Sequence, residues 1–208
     1  MFEVERSLEP DITLVCKLDK DGKIKFINKA YQDVTGFSEK DLVGESNEVI
    51  QHPKMPRVIL EKAWDAIRQR KQMYLISKNV TKNGEYFWTI ADIHSRIGQG
   101  KATAIFLRRK YLPYNIKTEF EKLYEVLYGI ESSGAGLETS KKYLNGWLEE
   151  RGSNYQDYII KLFEGESNLR QYMTTEVSDK ELFSTDPSDM DIHDILKFVK
   201  NKKKRRFW

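Results

Sequence analysis

The chain has 208 residues, of which 39% are hydrophobic and 32% charged, and its formal net charge at pH 7 is +3. This composition suits one globular domain with an extension, and no apolar run approaches the roughly 20 residues that a membrane span needs. The single cysteine, Cys16, excludes an internal disulfide and a cysteine metal site, and the N-terminal residues lack the apolar segment of a signal peptide. We therefore expect a cytoplasmic protein, and its small net charge gives no reason to expect a nucleic-acid partner.

The first quarter of the chain combines strand patterns with helix start signals. Residues 12–18 are rich in β-branched side chains, and residues 23–27 alternate polar and apolar positions. The turn signal at 19–22 joins these two predicted strands into a hairpin. Asn28 and Ser38 are suitable N-caps, so each predicts a short helix after it.

A rigid bend precedes the next helical pattern. Pro53 and Pro56 fix φ at two nearby positions, and the pattern from 57 to 70 then predicts a helix. Its core-facing stripe is predicted to be Leu60, Trp64 and Ile67. His52 stands in this bend, and two interpretations are open: a structural turn with an exposed histidine, or the rim of a ligand pocket.

Three more strands are predicted at 72–80, 86–94 and 102–108. Asn83 and Gly84 give the hairpin signal between the first two. Two strands, a cluster of helices and three strands predict an α+β domain, in which helices gather on one side of an antiparallel sheet.

The second half of the chain has a helical period. Pro113 marks its start, and three amphipathic helices are predicted between 114 and 163, stopped near Ser133, Gly152 and Gly165. Such helices bury their apolar stripes against each other, the sheet or another chain. The chain then turns acidic and finally basic, with a helical period near 192–199. We predict four segments: a lead-in at 1–11, the sheet domain at 12–112, a helical extension at 113–175 and a tail at 176–208.

Short motifs of the sheet domain follow one another in a specific order: FINKAY at 26–31, VTGFS at 34–38, LVG at 42–44, HPKMP at 52–56, Trp64, KN at 78–79 and KNGEYFW at 82–88. Residues 12–112 thereby resemble a PAS domain of the subgroup found in bacterial aerotaxis and energy-taxis receptors. The resemblance implies a five-stranded antiparallel sheet around a pocket, a sensory role without catalysis, and non-covalent FAD as a redox sensor. By motif, the positions associated with the flavin pocket or its signalling are His52, Trp64, Asn79 and Phe87.

The chain departs from this family pattern at positions that concern the flavin. Gln51 replaces an arginine and Lys54 an aspartate, and glutamine cannot supply the charge-assisted bonds of a guanidinium. Met73 replaces a tryptophan on which a ring could stack, and Leu75 replaces a glycine. Gln51 and Met73 complete the set of candidate cofactor-binding residues. The departures favour an alternative, a ligand-free PAS module that serves only as an interaction scaffold.

Haem is a further alternative cofactor. His52 or His94 could ligate iron axially, and Met73 lies near the start of the pocket. His94 shares an alternating face with Trp88, so the register of the sheet decides whether it faces the pocket.

We predict a non-enzymatic signal-transduction protein that passes a redox or energy signal to a separate chemotaxis-type receptor or other transducer. The helical extension is the predicted output or dimerisation element, and a homodimer is expected. The glycine-rich run at 129–136 lacks the lysine of a phosphate-binding loop, and no Gly-x-Ser-x-Gly elbow is present. A third interpretation is a DNA-associated regulator that uses the basic residues 202–206.

Overall fold

The computed structural model describes residues 4–98 and 101–174, which contain one sheet and helices on both of its faces. The strands are β1 (Val4–Glu5), β2 (Leu14–Asp19), β3 (Ile24–Ile27), β4 (Met73–Val80), β5 (Glu85–Gly98) and β6 (Lys101–Tyr111). The helices are α1 (Lys29–Thr35), α2 (Glu39–Leu42), α3 (Arg57–Arg68), α4 (Tyr114–Ser132), α5 (Gly136–Glu149), α6 (Tyr155–Leu162) and α7 (Glu166–Met173). A 3-10 turn, Asn47–Ile50, lies between α2 and α3.

The strands lie in the order β4–β5–β6–β2–β3, and each of these neighbours pairs antiparallel. This confirms the five-stranded antiparallel sheet that the resemblance implied. One strand was not expected: β1, in the predicted lead-in, pairs parallel with the start of β5, where Val4 lies opposite Glu85. Two residues are too few to show an alternating pattern, so the sequence could not predict β1.

Helices cover the sheet on both faces. Residues directly opposite on neighbouring strands share a face, so Arg109 and Ala91 lie on the same side. Nη2 of Arg109 donates to Oδ1 of Asn47 at 3.2 Å, which identifies this side as the inner face beneath α1, α2, the 3-10 turn and α3. On the outer face, Trp88 packs on Tyr124 of α4 with ring centroids 5.6 Å apart. The helices between β3 and β4 are therefore on one side as expected, and the helical extension lies on the other.

The predicted helix caps are present. Oδ1 of Asn28 accepts from the Tyr31 backbone N–H at 3.0 Å and from the Val15 N–H at 3.1 Å, so one side chain starts α1 and joins it to β2. Ser38 and Asp41 form a reciprocal capping box on α2. These local bonds fix the chain direction over the inner face of the sheet.

Helix α3 begins directly after Pro56, which provides no side-chain cap. The fully buried side chains of this helix are Val58, Ile59 and Ala63. The stripe predicted to face the core is only partly buried: Leu60, Trp64 and Ile67. The apolar surface of α3 is wider than one stripe, and packing against β4 and β5 decides which part of it is innermost.

The helical extension is bonded to the free edge of β4. Oε1 of Gln156 accepts from the Tyr74 N–H at 2.9 Å, and the Tyr155 hydroxyl oxygen accepts from the Ile76 N–H at 3.3 Å. The Tyr124 hydroxyl donates to the Ile76 carbonyl at 2.7 Å. An exposed strand edge can pair with other chains, and these side chains occupy the edge instead.

Helix α7 was not predicted, because its period is short and follows the break at Gly165. The Tyr172 hydroxyl donates to the Tyr111 carbonyl at 2.7 Å, and Nζ of Lys110 donates to the Tyr172 carbonyl at 2.9 Å. The predicted tail helix and basic cluster lie outside the described residues. Within residues 4–98 and 101–174, no helix has both the length and the apolar character needed to cross a bilayer.

Candidate functional site

Asn79 and Phe87 lie opposite each other on β4 and β5, and both are buried on the inner face. The Asn79 amide donates to the Thr89 hydroxyl at 3.0 Å and to the Ser77 carbonyl at 3.2 Å. The Ser77 and Thr89 hydroxyls are 2.9 Å apart. Three buried polar side chains beside an aromatic ring thus form a hydrogen-bonded patch on the inner face, and such a network is stable only when its members are paired.

His52 is buried, with 3% of its surface exposed, so the interpretation of an exposed histidine is wrong. Its Nδ1 accepts from the Lys54 N–H at 3.1 Å, which means that the neutral ring carries its proton on Nε2. Its backbone N–H donates to the Lys78 carbonyl at 3.1 Å, and its ring meets Tyr86 edge-on at 5.7 Å. The bend at 52–56 is therefore joined to the edge of β4.

The remaining candidates on this side of the molecule are separated. Gln51 pairs with Asn79 through the backbone, next to His52. Met73 is buried at the other end of β4, six residues from Asn79, which is about 20 Å along a strand. The structure thus places the backbone of Gln51 and His52 at the edge of β4 beside Asn79, turns the His52 ring toward Tyr86, and leaves Met73 apart.

Trp64 packs against the β2–β3 turn. A Cβ added at Gly22 would lie 2.7 Å from Cη2 of the Trp64 ring. Gly22 has φ +82°, and only glycine adopts this conformation without strain. The Trp64 ring therefore packs against the end of the β2–β3 hairpin, and its half-buried position depends on the absence of a side chain at Gly22.

We expect Gly22→Ala to lower the free energy of unfolding by about 1–3 kcal/mol, because alanine is strained in the left-handed backbone conformation and its Cβ would collide with the Trp64 ring. Gly44→Ala is the matched control, because Gly44 has φ +93° and no atom lies within 4 Å of its added Cβ. Urea unfolding measures both variants. An equal loss in the two would contradict the contribution of Trp64.

Arg109 is a buried charge that the sequence reasoning missed. It is 3% exposed and lies on the inner face, where the alternation of β6 otherwise places the apolar residues Ile105 and Leu107. Its Nη2 contacts Asn47, whereas Nε and Nη1 have no hydrogen-bond partner among the described residues. The signal was available in the doublet Arg108–Arg109, because alternation directs one of two adjacent strand residues inward.

Two neutral groups lie beside this guanidinium. Burial raises the pKa of the Cys16 thiol to about 12, and the opposing influence of Arg109 is smaller. Burial also raises the pKa of the Tyr31 phenol, and its hydroxyl has no hydrogen-bond partner in the described part of the chain. At neutral pH neither group is an anion, so neither balances the charge of Arg109.

Residues 24–102 match the family model described as "PAS fold". The chain contains a PAS domain. Its strand order and its inner-face helices agree with this assignment, and β2 and most of β6 extend the fold beyond the matched segment.

The PAS domain has relatives among characterised proteins. The aerotaxis receptor of Escherichia coli is 26% identical over 145 residues, which is 70% of this chain and 27% of the receptor. The bacterioopsin transcriptional activator of Halobacterium salinarum is 29% identical over 82 residues, which is 39% of this chain and 12% of the activator. The chain therefore spans about a quarter or less of the length of these two relatives.

Solved structures similar to the PAS domain include light-oxygen-voltage (LOV) domains. One, studied with a flavin analogue, has a TM-score of 0.48 and 18% identity, and the match covers 54% of this chain and 87% of that chain. The LOV domain of a blue-light activated histidine kinase from Erythrobacter litoralis has a TM-score of 0.44 and 20% identity, covering 48% of this chain and 94% of that chain.

His94 lies on the outer face of the PAS domain. Its ring stacks on Phe106 with centroids 5.4 Å apart, and burial lowers the pKa of its imidazole. The register therefore places His94 on the outer face, away from the proposed pocket. His52 lies at the edge of β4, and the Tyr86 ring that it meets also belongs to the outer face. Within the described ranges, no three His, Cys, Asp or Glu side chains are grouped to hold a metal ion.

Proposed function

We propose that this protein is a PAS sensor in which the state of a ligand on the inner face alters the helical extension on the outer face. The observation that carries the proposal is that both sides are bonded to one edge strand, β4. The pocket-rim bend contacts β4 at Lys78, where His52 N–H donates to the carbonyl and Met55 Sδ accepts from the N–H at 3.3 Å. Two residues away, Tyr124 and Tyr155 hold the backbone of Ile76.

A second connection links the same elements. The carboxylate of Glu131, near the end of α4, accepts from the backbone N–H groups of Arg57 at 2.7 Å and Val58 at 3.0 Å. These two donors open α3, whose own N-cap, Pro56, has no side-chain bond. A carboxylate at a helix N-terminus satisfies free N–H groups and is attracted by the helix dipole. Movement of the rim helix α3 must therefore change the surroundings of Glu131.

We further propose that the ligand is a flavin and that the signal is redox or energy state. When bound, a flavin supplies a ring system whose charge and hydrogen bonding differ between its oxidised and reduced forms. The residues that would hold it are the buried Phe87, through its apolar face, and Asn79, through its amide, with the buried His52 and the half-buried Gln51 from the bend. The presence of a buried polar network and an unpaired guanidinium on one face supports a ligand with polar groups.

In this proposal the receiving protein is a chemotaxis-type receptor or another transducer, and the sensor works in the cytoplasm as a homodimer without catalysis. The helical extension is the output surface. Support comes from the relationship to the aerotaxis receptor and from a cleft of about 440 Å³ between α4 and α5, beside the exposed side chains of Val126 and Tyr143.

A ligand-free scaffold is the second candidate, and one observation favours it. Leu75, at the position where the family pattern has glycine, is buried on the inner face opposite Ala91. Its side chain fills space there, next to the patch that contains Ser77.

We expect the purified full-length protein to show the visible absorption of an oxidised flavin, which bleaches on reduction. His52→Ala should lower the flavin content at limiting flavin about tenfold, the equivalent of about 1.4 kcal/mol of binding energy. His94→Ala is the matched control, because it removes an imidazole that stacks on Phe106, on the outer face of the sheet, and should keep the flavin. A colourless wild-type protein that releases no flavin on denaturation would overturn the redox proposal and favour the scaffold.

A further inference from the structure

The inner face contains a positive charge for which the protein provides no counter-charge. In the described ranges, no carboxylate lies within ion-pair distance of Arg109, whereas its neighbour Arg108 pairs with Asp92 at 2.8 Å on the outer face. A buried ion without a partner costs several kcal/mol. Folding tolerates this cost at functional positions, where the missing partner is a ligand.

The groups around Arg109 are donors that lack acceptors. Nε and Nη1 of the guanidinium have no hydrogen-bond partner among the described residues, and neither has the hydroxyl of Tyr31, which is fully buried. The guanidinium carbon is 5.9 Å from the centroid of the Tyr31 ring, so the two side chains adjoin. The remaining nitrogen, Nη2, bonds the neutral amide of Asn47, and the guanidinium also contacts the Cys16 thiol, which is neutral as well. Two guanidinium donors and a phenol donor therefore share one small region.

Solvent is close to this region on the side of the 3-10 turn. Asn47 is half-buried, and the residues on either side of it, Ser46 and Glu48, are exposed. The turn is tied to the β2–β3 hairpin by the bond from the Asn47 N–H to the Gly22 carbonyl at 3.1 Å. The half-buried Asn47 side chain therefore lies between the guanidinium and the exposed residues of the turn.

We propose that Arg109 is the recognition residue of an anion site on the inner face, and that it binds a carboxylate or phosphate group of a ligand with Tyr31 as a second donor. A guanidinium matches the paired oxygens of either group through two parallel hydrogen bonds. The anionic group belongs either to a cofactor such as FAD or to a small free anion. The site does not rest on the flavin proposal, since a colourless protein could still bind a small anion.

The test compares thermal unfolding of the full chain in a low-anion buffer and after addition of acetate, inorganic phosphate or FAD. At about a hundred times the dissociation constant, a ligand of the folded state should raise Tm by about 5–10 °C. We expect at least one probe to do this for the wild type and not for Arg109→Met. A response to FAD alone identifies a cofactor, and a response to acetate or phosphate identifies a small anion.

Arg68→Gln is the control for loss of one positive charge, because Arg68 is exposed on α3, and it should respond as the wild type does. Without added anion, Arg109→Met should be at least as stable as the wild type, since it removes an uncompensated buried charge. Arg109→Lys keeps the charge and should retain part of the response. The proposal is overturned if no probe raises the Tm of the wild type, if Arg109→Met responds fully, or if Arg109→Met fails to fold.

Discussion

Replacement of Phe120 by alanine is expected to lower the free energy of unfolding by about 3–5 kcal/mol, because it leaves a cavity in the core of the helical extension. Phe120 is completely buried on α4. Four aromatic rings surround it with centroid distances of 5.9–6.3 Å: Tyr124, Trp147, Tyr155 and Tyr158. Chemical unfolding followed by circular dichroism measures the loss.

The matched control for Phe120 is Val126→Ala, on the same helix. Val126 is 41% exposed, so its truncation should cost less than about 0.5 kcal/mol. Because Tyr124 and Tyr155 also hold the edge of β4, the Phe120 variant should in addition speed hydrogen exchange at Ile76. A large loss of stability with unchanged exchange at Ile76 would show that the helical extension and the sheet are not coupled through this cluster.

Replacement of Glu131 by alanine is expected to cost about 1–2 kcal/mol, because α3 loses the carboxylate that caps it. The Ser140 hydroxyl, which donates to Glu131 at 2.9 Å, loses its acceptor as well. If the sensor proposal is correct, this variant should also reduce the response of the helical extension to ligand. The measurement is the ligand-induced change in hydrogen exchange of α4 and α5.

Glu125→Ala is the control for Glu131. Glu125 is an exposed glutamate on the same helix, and its carboxylate has no hydrogen bond or ion pair with the residues that the structure describes, so its removal should leave stability within about 0.5 kcal/mol. Equal stability of the two variants would show that Glu131 does not cap α3 in solution. A destabilised Glu131→Ala protein with a normal ligand response would confine Glu131 to a structural role.

In the proposed sensor, the Phe120 cluster and the Glu131 cap would connect the inner face to the helical extension. The sheet separates the inner face from the helical extension, and side chains at its β4 edge connect the two sides. His52 and Met55 reach this edge from the pocket rim, and Tyr124 and Tyr155 reach it from the helical extension. A change in the bend at 52–56 therefore acts on backbone groups two residues from those that hold α4 and α6.

Local sequence determined most of the elements of this protein. Glycines with positive φ at 22 and 84 ended strands where the turn signals predicted, and Asn28 and Ser38 started helices as N-caps. Each of these features depends on neighbouring residues only, so a single sequence suffices to read it. The order of elements and the motifs then predicted the sheet, which the structure confirms.

The faces of the sheet were decided by the tertiary structure. Alternation shows that Arg108 and Arg109 point in opposite directions, but only the pairing with Ala91 and Asp92 shows which of them is under α1–α3. The same register places His94 outside. If the pairing of a strand shifted by one residue, every side chain of that strand would move to the opposite face of the sheet. Alternation alone therefore cannot tell which face of the sheet a candidate residue occupies.

The position of the helical extension could not be predicted from the sequence either. The apolar stripes of its helices predicted that they are buried, but they did not show against which surface. Both β1 and α7 are too short for a periodic signal. Sequence by itself determined most of the elements and their order, because caps, turns and alternation act over a few residues, and the resemblance carried by the motifs implied the PAS fold. Tertiary structure alone decided which side chains meet across the sheet and around the β4 edge, because those contacts join residues up to 82 positions apart.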